Sequence, residues 1–128
     1  MIKPTGKIDH INLTVPNIEE AISYYTSKLN FTLRDRYEKN GLQFIFLTDG
    51  NTVYEIMENP NLREAYIDHI AYVSEDIEAD YNYYKQLDSS LLLGPIGYVD
   101  FLFEEGVYYF FIKGVCGEKI EFCQKKRG

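Results

Sequence analysis

A chain of 128 residues with 45% hydrophobic and 26% charged side chains has the composition of one ordinary globular domain. Thirteen Lys and Arg against twenty Asp and Glu leave a formal charge of -7, which repels nucleic acid and anionic lipid. No apolar run reaches the roughly 20 residues of a membrane span, no apolar leader segment follows the first lysines, and Cys116 and Cys123 make no disulfide framework. These features predict a cytoplasmic protein with neither nucleic-acid nor membrane partners.

The first predicted element is a strand, "IDHINLTV", β-branched and apolar, ended by Pro16-Asn17. Asn17 is the N-cap candidate of a helix, with Glu20 completing a capping box, and Ile18, Ile22, Tyr25 and Leu29 recur at helical spacing. Strand-like runs "FTLRDRY", "LQFIFLT" and "NTVYEIM" follow, punctuated by Asn40-Gly41 and Asp49-Gly50. After a loop around "ENPNLREA" the series restarts with "YIDHIAYV", then Ser74 as cap candidate and a helix on Ile77, Tyr81 and Tyr84. "GYVDFLF", "VYYFFIK" and "EKIEFCQ" close it, with turns at Glu105-Gly106 and Gly114 to Gly117.

The two series are copies. At a constant offset of 59, Lys7 to Tyr25 overlies Tyr66 to Tyr84 with identity at Ile8/Ile67, Asp9/Asp68, His10/His69, Ile11/Ile70, Ile18/Ile77, Glu19/Glu78, Tyr24/Tyr83 and Tyr25/Tyr84, eight of nineteen positions without a gap. Both histidines of the protein fall in the repeated quartet "IDHI". The expected organisation is one domain over residues 1–128, made of a βαβββ module over about 5–60 and a second over about 65–126.

A first His-x-x-x-x-V, a helix bearing Tyr-Tyr, a strand carrying Glu, a second "HIAYV" and a closing "GVCGEKIEF" together resemble the vicinal oxygen chelate superfamily, the glyoxalase, bleomycin-resistance and dioxygenase group. The resemblance spans essentially the whole chain. It implies an α+β fold in which two βαβββ modules form a half-open, barrel-like curved mixed sheet with helices outside.

The residues support the chemistry in their own right. Alternate strand side chains share a face, so Ile8, His10, Asn12 and Thr14 point one way while Asp9, Ile11, Leu13 and Val15 point the other. The second set is apolar enough to lie under the helix, which turns His10, and by the same phase His69, away from it. Glu55, between Tyr54 and Ile56, and Glu121, between Ile120 and Phe122, project from the face opposite their apolar neighbours. Taken singly, a strand histidine or glutamate is ordinary. Taken together, two carboxylates near two imidazoles call for a compensating cation, since a buried unpaired carboxylate costs several kcal/mol. Cys123 shares the face of Glu121 two residues on and reads as cavity lining.

The set His10, Glu55, His69, Glu121 matches the ligand pattern of glyoxalase I, so the resemblance implies one divalent ion per site, Ni, Co, Zn, Mn or Fe, with positions open for substrate. It implies a metal-dependent lyase or isomerase acting on a small substrate with vicinal oxygens through an enediolate, with Glu121 as leading base and Glu55 as the other catalytic carboxylate. Asn59 matches a substrate-contacting Asn of glyoxalase I. Thr14 stands where that family has an Arg gripping a glutathione carboxylate, so that bidentate contact is missing. Arg34 and Arg36, expected on one face of their strand, and Lys119, on the face of Glu121, are the cationic candidates for an anionic substrate.

Two other classes compete. The 16% aromatic content would also suit a drug- or antibiotic-sequestering protein without catalysis. An epimerase or an iron dioxygenase shares the fold, although the latter expects two His and one carboxylate, which leaves Glu55 surplus. The resemblance further implies a homodimer in which His10 and Glu55 share a metal with His69 and Glu121 of a second copy, an in-chain site being the alternative.

Overall fold

Each predicted strand-helix series folds into a βαβββ module, which makes the chain a mixed α+β protein. The computed structural model describes residues 6–126. The first series comprises β1 (Ile8–Val15), α1 (Ile18–Ser27), β2 (Thr32–Lys39), β3 (Leu42–Thr48) and β4 (Val53–Glu58). The second comprises β5 (Tyr66–Val73), α2 (Ile77–Asp88), β6 (Gly97–Val99), β7 (Val107–Lys113) and β8 (Lys119–Lys125), with a 3-10 turn at Ser89–Leu91. Among the described residues the compact units are His10–Asp68 on the one hand, and residues 6–9 with 69–126 on the other.

In the first module the strands run in the order β2-β3-β4-β1, with β1 parallel to β4 and the other pairs antiparallel. Asn17 is the N-cap of α1: its backbone is extended and its side chain accepts the Glu20 N–H at 3.0 Å. A second orphan donor of the helix, the Ile18 N–H, is met by Glu58 Oε2 from the end of β4 at 3.0 Å. Ile18, Ala21, Ile22 and Tyr25 then lie on Leu13, Val15, Ile45, Leu47 and Ile56. Leu29 continues the apolar spacing but is exposed, because the helix has already ended at Ser27 and Asn30 at φ 59 turns the chain. Asn40 and Gly41, both at positive φ, form the two-residue turn between β2 and β3 that suits the twist of a hairpin.

The second module repeats this plan as β5-β8-β7-β6, with β5 parallel to β8. Its helix is capped by Asp76, which accepts the Ala79 N–H at 3.1 Å, and not by Ser74. Ser74 is buried, and its hydroxyl donates to Asp80 Oδ2 at 2.6 Å. The last strand again reaches the helix start, Gln124 Oε1 accepting the Ile77 N–H at 2.9 Å. Ile77, Tyr81 and Tyr84 pack on Phe110, Ile112 and Phe122, and the Phe110 and Phe122 rings stack at 5.2 Å. The run "GYVDFLF" yields only a three-residue strand. Phe103 and Glu104 take positive φ and Gly106 follows at φ 96, where a Cβ would strike the Tyr98 ring. Among the described residues no helix is long and apolar enough to cross a membrane.

Candidate metal centre

In the first module β1 and β4 run parallel with Asn12 opposite Glu55. This register leaves His10 two residues before the carboxylate's partner, on the same face of the sheet and away from α1. His10 Nε2 stands 3.5 Å from Glu55 Oε1, and both side chains are buried. Phe46 is the β3 partner of Glu55 and meets the His10 ring edge-on at 6.2 Å. Tyr37 in turn meets Phe46 at 6.0 Å. Asn12, 1% exposed, donates from Nδ2 to Glu55 Oε1 at 2.8 Å and accepts the Thr14 hydroxyl at 2.7 Å.

The second module builds the same couple. Ala71 lies opposite Glu121 in the parallel β5–β8 pair, which puts His69 two residues before it, with Nε2 2.9 Å from Glu121 Oε1. Phe111 is the β7 partner of Glu121 and packs edge-on against the His69 ring at 4.9 Å. His10, Glu55, His69 and Glu121 are 4%, 6%, 8% and 8% exposed. Imidazole and carboxylate donors so buried, with Nε2 turned to the carboxylate in both modules and no thiolate in either couple, have the chemistry of ligands for a divalent ion.

The remaining predicted residues are placed variously. Lys119 is exposed and pairs with Lys113 and His69 across the strands, with its ammonium 6.0 Å from the Phe111 ring centroid, so it borders the second couple. Asn59 shapes the turn after β4: its N–H donates to Val15 O at 2.8 Å and its side chain accepts the Asn61 N–H at 3.1 Å. Arg34 and Arg36 do not share a regular face, because β2 shifts register between Leu33 and Asp35. Arg36 pairs with Ile45, a residue of the core under α1, and its guanidinium holds Glu19 of α1 at 2.5 Å and Gln43 at 3.0 Å. Arg34 is an exposed side chain 3.9 Å from Asp35. The structure does not bring Arg36 to the His10–Glu55 couple. Cys123 is buried on β8 opposite Val73 and Tyr109.

Two residues enter that the sequence reading gave no role, Asn12 and Phe46. The signal for Asn12 was present, a polar side chain on the His10 face of a strand whose repeat has Ala71 at the same place. For Phe46 no local signal exists, since its role depends on which residue of β4 it faces.

The family model for the glyoxalase/bleomycin resistance protein/dioxygenase superfamily matches residues 7–122. The chain belongs to this superfamily. It is 31% identical to the Bacillus subtilis (strain 168) uncharacterized protein YwbC over 127 residues, 93% of this chain and 98% of that one. Among solved structures, a hypothetical protein from Bacillus halodurans is similar with a TM-score of 0.77 at 23% identity, covering 95% of this chain and 96% of the other. A methylmalonyl-CoA epimerase from Mycobacterium tuberculosis is similar with a TM-score of 0.79 at 16% identity, covering 99% and 94%. At these identities the structural likenesses establish the superfamily fold alone.

Proposed function

We propose that the His10–Glu55 and His69–Glu121 couples are the two halves of one divalent-metal site in an enzyme that moves a proton on a small substrate with neighbouring oxygens. One observation carries this reading: the same couple is built twice, by the same parallel register and beside the same cross-strand phenylalanine. Two imidazoles and two carboxylates suit Ni, Co, Mn, Fe or Zn and leave coordination positions for substrate. Such an ion, when bound, supplies Lewis-acid polarisation of a substrate carbonyl.

The protein side chains do the proton chemistry. Glu121 takes the proton from the carbon beside that carbonyl and returns it to the neighbouring carbon, a glyoxalase-type isomerisation with no net loss of atoms. His69 Nε2, 2.9 Å from its Oε1, fixes where the carboxylate points. Glu55 is the second carboxylate of the site. Phe46 and Phe111 keep water from the couples, and Lys119, with its ammonium 6.0 Å from the Phe111 ring centroid, is the candidate to meet an anionic end of the substrate. Return of a proton to the original carbon from the opposite side would give an epimerase, a second reading favoured by the likeness to the methylmalonyl-CoA epimerase. Both start with loss of a proton beside a carbonyl.

The enzyme is further proposed to work in the cytoplasm as a homodimer whose copies share sites. Mixing His10→Ala and His69→Ala chains then regenerates one intact site per heterodimer, whereas an in-chain site regenerates none.

The functional test supplies the purified protein with Ni, Co, Mn or Zn, measures bound metal, and follows carbon-bound hydrogen exchange in D2O over a panel of hemithioacetals and methylmalonyl thioesters. Metal-dependent exchange with at least one class is expected. Absence of bound metal, or exchange with none of them, overturns the enzyme in favour of a non-catalytic small-molecule binder.

A further inference from the structure

The repeat is interrupted on the site face at two adjacent places. Asn12 of the first module is replaced by Ala71 in the second, and Thr14 by Val73, within segments that otherwise share the "IDHI" quartet and the strand register. Both changes exchange a hydrogen-bonding side chain for an apolar one. The polar pair is not idle in the first module: Thr14 Oγ1 donates to Asn12 Oδ1 at 2.7 Å, and Asn12 Nδ2 donates to Glu55 Oε1 at 2.8 Å.

The direction of this chain is set by chemistry. An ionised carboxylate only accepts, so the amide must turn its NH2 to Glu55, and its carbonyl oxygen is left for the Thr14 hydroxyl. Asn12 is 1% exposed. A primary amide at that depth is costly unless its groups are bonded, and an alanine fits the same strand position in the other module. Core packing alone therefore does not call for asparagine.

We infer that Asn12, anchored by Thr14, is a positioning residue that fixes the Glu55 carboxylate for metal binding, through a side-chain relay that Ala71 and Val73 cannot build in the second module. This rests on the proposed metal site and deepens it. The side chain beyond a ligand commonly sets its orientation and basicity in this way.

The test transplants the second module's residues into the first. Asn12→Ala and, separately, Thr14→Val are compared with wild type by Co(II) titration, by the visible spectrum of the Co(II)-saturated protein, and by urea unfolding without metal. Asn12→Ala is expected to weaken Co(II) binding by about 10- to 100-fold and to change the Co(II) spectrum. Thr14→Val, which removes only the anchoring hydroxyl, is expected to act in the same direction by a few-fold, and it serves as the test should Asn12→Ala not fold. Unaltered Co(II) affinity and spectrum in a folded variant, with only the metal-free stability lowered, makes Asn12 a structural residue and overturns the inference while leaving the metal site standing. A wild-type protein that binds no Co(II) overturns both.

Discussion

The two modules share a skeleton and differ in how they finish it. In each, a histidine strand runs parallel to a glutamate strand, a phenylalanine faces the glutamate from the other side, and the residue three beyond the glutamate, Glu58 or Gln124, accepts the first N–H of the helix. The first module adds the Thr14–Asn12–Glu55 chain and a two-residue β2–β3 turn. The second has Val73 and Ala71 at those positions, with a three-residue β6 and a longer turn before β7. What recurs is what sets each histidine beside its glutamate; what varies is whether side chains of the histidine strand also reach the carboxylate.

The strongest way to break this comparison is to treat the two carboxylates alike. Glu121→Gln keeps size and removes the basic charge, so turnover should fall by about 10²- to 10⁴-fold with a lesser effect on metal content. Glu55→Gln should lower metal affinity first, with activity recovering in part at high metal concentration. Steady-state kinetics over a metal titration separates the two, and equal behaviour of both variants would remove the division of roles.

A smaller effect tests the shared skeleton. Glu58→Ala and Gln124→Ala each strip an acceptor from a helix N-terminus, and each should cost about 1 kcal/mol in urea unfolding. Gln124→Ala should cost more, because its Nε2 also donates to Glu75 O at 2.8 Å. No loss in either variant would mean that the helices are held by packing alone.

The smallest effect lies in the β3–β4 turn. Asp49 accepts the Thr52 and Asn51 N–H groups at 2.7 and 2.9 Å, and these bonds, Thr52's first, hold its carboxyl below the ordinary value. A lowered folded-state pKa contributes stability that is present above the unfolded pKa of about 3.9 and is lost as pH falls through the folded value. Asp49→Asn should flatten this slight dependence below about pH 4, as read from urea midpoints.

Much of this was legible in the sequence because strand alternation is a local rule. The phase of His10 against Leu13 and Val15, together with the placement of Leu13 and Val15 under α1, follows from period two and the helix stripe. The parts not legible depend on partners far along the chain. Arg36 looked free to face a substrate until a register shift in β2 and Glu19 on α1 set its direction. Ser74 looked like a cap, but Asp76 lies closer to the helix start and Ser74 is drawn inward by Asp80. The length of β6 was overestimated because "DFLF" reads as strand from its apolar alternation, whereas Phe103 and Glu104 adopt turn conformations. The role of Asn12 required knowing that Glu55 lies across from it.

The most direct test of the central claim, that the two couples serve one ion, is the stoichiometry of Co(II) binding to metal-free protein, measured for the wild type and for His10→Ala and His69→Ala. The account predicts one ion per chain, with binding weakened more than about 100-fold by either substitution, since losing a ligand should exceed the effect of losing an outer partner. Two ions per chain, each abolished by only one of the variants, or full-strength binding in either variant, would contradict it.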